Sequence, residues 1–97
     1  MIIYIDIDET ICHSPDKYDY TKSTPIQENI DKANKLYDEG HTIVYWTARG
    51  ASTGIDWKWF TAFQLHNWKV KFHELKFNKP LYDLFIDDKN INTKDWK

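Results

Sequence analysis

Ninety-seven residues with a formal net charge of −2 make one domain, 1–97, with little room for a second. The twelve Lys are scattered without a basic block, so the charge points to no nucleic-acid partner, and no apolar run is long enough to span a bilayer. The single Cys12 excludes an internal disulfide and fits a reducing compartment; with charges beginning at Asp6, no signal peptide is expected and the cytoplasm is the default location.

Ile2 to Ile7 is the first predicted strand, a nearly continuous apolar run of the kind that fills a central position covered on both faces. It ends in Asp6 and Asp8, which share one face because extended residues at i and i+2 point the same way. Residues 11–24, with Pro15, Asp16, Asp19 and Ser23, read as a loop. A helix then opens on Thr24-Pro25-Ile26-Gln27: threonine at the cap, proline at the first helical position and glutamine at the third. Ile26, Ile30, Ala33, Leu36 and Tyr37 form its apolar stripe, and Gly40 ends it. Thr42 to Trp46 is a second buried strand, and Ala48 to Gly54 a loop. A second helix runs from about Ile55 to Trp68, its core face expected to carry Trp57, Phe60, Phe63 and Trp68. Val70 to His73 is a short strand, Asn78-Lys79-Pro80 a turn, and Leu84-Phe85-Ile86 a last buried strand ending in Asp87-Asp88. Asn92 to Lys97 reads as a short terminal helix. Strands alternating with helices predict an α/β fold: a mostly parallel, Rossmann-like sheet with helices on both faces. In such sheets ligands bind beyond the carboxyl ends of the strands, where Asp6/Asp8, Thr47/Arg49 and Asp87/Asp88 all lie.

Two carboxylates held this close repel each other unless a cation intervenes or one takes a proton. Hydrolysis of a phosphate monoester asks for such a cluster. Asp6 can attack phosphorus and become an aspartyl-phosphate, while Asp8 can protonate the leaving oxygen and then deprotonate the attacking water. Asp87 and Asp88 complete an all-oxygen site suited to Mg2+. Thr47 offers a hydroxyl to phosphate oxygens and Lys79 a positive charge. Arg49, the only arginine, has a planar fork that suits a phosphate or a substrate carboxylate, or pairs with Asp56 on the surface.

Asp-Ile-Asp-Glu-Thr at 6–10, a strand ending in Thr47, Lys79-Pro80, and Ile86-Asp87-Asp88 resemble, in order and over nearly the whole chain, the four motifs of haloacid dehalogenase superfamily phosphatases. The resemblance implies a three-layer fold of that type, with Asp6 as nucleophile and magnesium ligand. It implies Asp8 as acid/base, with its carbonyl on the metal, Thr47 and Lys79 on phosphate, and Asp87 on magnesium with Asp88 beside it or acting through water. Neither residues 11–24 nor 48–78 leave space for a cap domain, so the chain resembles a capless member. Thr47-Ala48-Arg49-Gly50, Gly54-Ile55-Asp56-Trp57 and Lys79-Pro80-Leu81-Tyr82-Asp83 further resemble small phosphatases predicted for bacterial surface-polysaccharide pathways.

Blander readings stand beside these. Strand-end Asp residues often sit in turns, Thr47 is a β-favouring residue, and Lys79 taken alone is a surface lysine. The four His show no metal-ligand spacing and read as structural or surface residues, with His13 nearest a substrate. Tyr18 and Tyr20 either fold over the site as a small lid or cover the sheet edge. The expected substrate is a phosphorylated small molecule such as a sugar phosphate. The same site also serves a phosphotransferase or a polynucleotide-end phosphatase, although the net charge disfavours the latter. Outside catalysis the alternatives are a receiver-like phospho-switch, whose acidic pair would come first in the chain rather than last, and an inactive interaction domain. An open site selects substrates poorly by itself, so either a macromolecular substrate or a neighbouring subunit of a homo-oligomer that closes the cleft is expected.

Overall fold

The computed structural model describes residues 1–97. Strand β1 (Ile2–Ile5) stops two residues short of the expected Ile7. Its side chains alternate: Ile5 is buried, while Ile2 and Tyr4 point to solvent. It is thus a half-covered edge strand rather than a central one. The chain turns at once, and β2 (Cys12–His13) pairs antiparallel with β3 (Thr24–Pro25), Cys12 against Pro25 and His13 against Thr24. This small ladder displaces the expected cap. Thr24 is committed to pairing, the amide of Ile26 donates to the Ile11 carbonyl at 2.8 Å, and helix α1 begins only at Gln27, running to Asp38 with no side-chain cap. Its end is as expected: Gly40 takes φ +94, which glycine adopts without steric cost.

Strand β4 (Thr42–Trp46) lies parallel to β1, pairing Ile5 with Tyr45. Helix α2 (Lys58–Asn67) starts three residues later than expected. The Asp56 carboxylate accepts from the Lys58 amide at 2.9 Å, satisfying one of the donors a helix start leaves open. Strand β5 (Glu74–Lys76) pairs with β4 from Val44↔Glu74 to Trp46↔Lys76. The strand expected at Val70 to His73 is therefore displaced towards the carboxyl end; Val70 itself enters the core. A 3-10 turn at Thr93–Asp95, capped by Asn92, replaces the expected terminal helix.

The sheet order is β1-β4-β5. Both crossovers step in the same direction, and right-handed connections then place both helices on one face. The core agrees: Ile30 and Ala33 of α1 and Leu65 of α2 join one cluster with Ile5, Ile43 and Tyr45. The expected helices on both faces are not found. On the other face Tyr4 and Trp46 meet edge to face, with ring centroids 5.9 Å apart, and Lys76 donates to the Tyr4 hydroxyl at 3.0 Å. What is established is a small α/β fold with a parallel three-stranded sheet and two helices.

The expected last strand does not form. Leu84 and Ile86 are 75% and 87% exposed, and residues 84–86 have no ladder partner. β-propensity is a preference for a pleated, half-buried surface rather than a property of the backbone alone. Here Tyr82 and Phe85 pack on each other, centroids 5.2 Å apart, and the three-residue run stays outside the sheet.

Candidate functional site

Because β1 and β4 are parallel and in register, their carboxyl ends open side by side. Asp6 and Asp8 follow the first and Thr47 the second. Lys79 arrives from a third segment. Its amide donates to the Thr47 carbonyl at 3.1 Å, and its ammonium lies 3.6 Å from Asp6 Oδ2. The Ile7 amide donates to Asp6 Oδ1 at 2.8 Å. Burial pushes the Asp6 carboxyl above its ordinary value; the Lys79 charge and the Ile7 amide pull it back only in part. Over this point lies an open cleft of about 360 Å³ whose lining includes Asp6, Asp8, Ser14, Tyr18, Tyr20 and Leu81.

Asp8 is held differently. Arg49 grips it with both arms of its fork: Nε donates to Oδ2 at 3.0 Å and Nη2 to Oδ1 at 2.8 Å. The Ser14 hydroxyl also donates to Oδ1. Burial again pushes the carboxyl up, but the Arg49 hydrogen bonds and charge, helped by Ser14 and Cys12, outweigh it and hold Asp8 below the ordinary carboxylate range. Arg49 itself has a fully buried side chain. Its Nη1 donates to Thr61 at 3.1 Å and Gln64 at 2.8 Å, and Tyr20 stacks on the guanidinium at 4.4 Å. The expected alternative of a surface pair with Asp56 is corrected: the fork is turned inward by Thr61 and Gln64, the two buried polar residues of α2, and Asp56 is occupied with the Lys58 amide.

Thr47 stands where expected but is only 1% exposed, its hydroxyl oxygen accepting from the Arg49 amide at 3.1 Å. Asp87 and Asp88 are exposed, and the strand at 84–86 that was expected to carry them to the sheet does not form. The donors that do converge, the oxygens of Asp6 and Asp8, are hard ligands. They fit magnesium, which takes one or two carboxylates along with water and substrate phosphate. His13 pairs with Glu9 at 3.1 Å rather than facing the cleft. Cys12 is buried, its thiol pushed up to about 12 by burial and by the Asp8 charge.

Three residues at the site carried no role in the sequence, Ser14, Thr61 and Gln64, whereas Tyr20 lies over the site as one of its two expected placements had it. Thr61 and Gln64 carried a signal, being polar and three apart on a helix otherwise rich in Trp and Phe. Of the aromatic residues expected on the inner face, Trp68 packs against the core and Trp57 and Phe60 are half-buried. Phe63 is 63% exposed, while Thr61, Gln64 and Leu65 are buried. A buried arginine needs oxygen acceptors, and Thr61 and Gln64 supply two of them from α2.

No family model matches the chain, and no curated protein matches it. Among solved structures, a structural-genomics target from Vibrio cholerae is similar, with a TM-score of 0.85 and 22% sequence identity over 97% of this chain and 85% of that one. At that identity the likeness shows a shared α/β fold and nothing of the chemistry. No helix is long and apolar enough to cross a membrane.

Proposed function

We propose that this chain is a magnesium-dependent phosphomonoester hydrolase of the capless haloacid dehalogenase type, acting in the cytoplasm on a small phosphorylated metabolite such as a sugar phosphate. The observation that carries the reading is the meeting of Asp6, Thr47 and Lys79 from three distant segments, with the Lys79 ammonium 3.6 Å from the Asp6 carboxylate. A desolvated carboxylate beside a fixed cation, at the mouth of an open cleft, suits attack on an anionic phosphate.

In this reading Asp8, ionised at rest beside Arg49, first takes a proton from solvent water; an Asp6 oxygen attacks phosphorus, the ester P–O bond breaks, and the departing oxygen takes that proton from Asp8. Water then attacks the aspartyl-phosphate. Asp8 accepts its proton, the acyl-phosphate P–O bond breaks, and inorganic phosphate leaves with Asp6 regenerated. Lys79 balances charge on the transferring group throughout. Asp6 and the Asp8 carbonyl, with Asp87 and Asp88, would hold a magnesium ion, which would supply the positive charge that lets an anionic nucleophile approach an anionic ester.

The test is a panel of phosphorylated metabolites and an aryl phosphate, assayed with magnesium and again with EDTA. Turnover that EDTA abolishes, and that Asp6→Asn abolishes while the circular dichroism spectrum is unchanged, is the expected outcome. Full activity of Asp6→Asn rules out the covalent route.

A further inference from the structure

Arginine has five N–H donors and no acceptor, and at Arg49 all five are used. Nε serves Asp8; Nη1 serves Thr61 and Gln64; Nη2 serves Asp8 and, at 3.8 Å, the Cys12 sulfur. The side chain is fully buried, so no N–H remains for a substrate phosphate. The pair it forms is lopsided. Its cation is sealed under Tyr20, while Asp8 keeps 24% of its side chain exposed and lines the cleft beside Asp6. A pair kept only for packing gains little over apolar residues of the same volume, and nothing in packing requires its acidic end to face a cleft. The fork is in turn fixed to the fold: Thr61 and Gln64 belong to α2, and the Gln64 amide donates to the Tyr20 carbonyl at 3.0 Å. Helix α2 and the loop that borders the cleft therefore share one guanidinium, and that guanidinium sets where Asp8 points.

Resting on the phosphatase reading, we propose that Arg49 is the positioning residue for Asp8. Anchored by Thr61 and Gln64, it aims the Asp8 carboxyl at the leaving oxygen and the attacking water, and it makes no contact with phosphate.

Arg49→Lys keeps the charge but cannot form the two-armed grip. It is expected to lower kcat by about 10²-fold, the order that misplacement of a reacting group by an ångström costs, with KM changed by less than about twofold. Calorimetric binding of inorganic phosphate stays as in the wild type, whereas Lys79→Met weakens it. In an Asp8→Asn background the same Arg49→Lys change adds less than about twofold, because the residue it acts through is already gone. Should Arg49→Lys not fold, Gln64→Leu removes one anchor while leaving Arg49 in place, and carries the same cycle with a smaller loss. Losses that multiply with Asp8→Asn, or phosphate binding that weakens in Arg49→Lys, overturn the inference while leaving the phosphatase reading intact. A wild-type chain without turnover overturns the reading, and the inference with it.

Discussion

Asp6 and Asp8 are two residues apart in the chain and opposite in their electrostatics. Asp8 is held below its ordinary value, 3.8, so its contribution to stability is complete above that value and is lost as pH falls through the lower folded-state value. Asp6 is raised above 3.8; its contribution is complete below 3.8 and is lost as pH rises through the raised value. Urea unfolding midpoints between about pH 3 and about pH 6 should therefore move in opposite ways. Asp8→Asn removes part of the loss of stability on acidification, and Asp6→Asn removes part of the loss on neutralisation. By the same reasoning Asp6→Asn should melt no lower than the wild type near neutrality, because the carboxylate it replaces is poorly solvated. Replacing Arg49 with Met leaves Asp8 without its partner and should cost about 3–5 kcal/mol by urea denaturation.

At the scale of elements, the loop between β4 and α2 carries the tightest constraint. Gly50 has φ +82, and a Cβ built there would lie 2.2 Å from the Ile55 carbonyl oxygen; Gly40 has φ +94 with open space around it. Gly40→Ala meets only the backbone penalty, about 1–2 kcal/mol. Gly50→Ala must also push residue 55 away and disturb its neighbour Arg49, so it should cost more by urea denaturation and lower turnover as well. The start of α1 gives the converse case. Thr24 looks like a cap but is engaged in the ladder with His13. Thr24→Ala should therefore cost less than the roughly 1 kcal/mol typical of a lost cap, again measured by urea midpoint.

For the molecule as a whole, one sheet face is covered by both helices, while Ile2 and Tyr4 on the other stay exposed alongside an outlying segment containing Leu84, Phe85 and Ile86. Amides of residues 84–91 should exchange with solvent far faster than those of β4, because they lack ladder bonds. If Asp87 and Asp88 serve the metal, adding magnesium with a phosphate mimic should slow that exchange; unchanged exchange in the presence of both would separate the acidic pair from the site. Exposed apolar surface of this kind also marks contacts between chains, and light scattering across a dilution series is expected to show self-association.

The strand-helix alternation, the turn at Gly40, and the convergence of Asp6, Thr47 and Lys79 were all legible in the residues. The first two, and the placing of Asp6 and Thr47, follow from local preference together with the rule that parallel strands open their ligand site at one end; Lys79, taken alone a surface lysine, was reached through the order of the four motifs. Other features could not be read that way. Apolar periodicity put Phe63 on the inner face of α2, yet it is exposed, and the polar Thr61 and Gln64 are buried there because folding brings them a buried guanidinium in need of acceptors. Likewise Leu84-Phe85-Ile86 has a strand's composition but no partner, since pairing depends on what lies alongside. The sequence by itself determined that Asp6, Asp8 and Thr47 stand at the sheet's end. The tertiary structure alone decided the charge and direction of each, because desolvation and hydrogen bonding depend on neighbours brought from elsewhere in the chain.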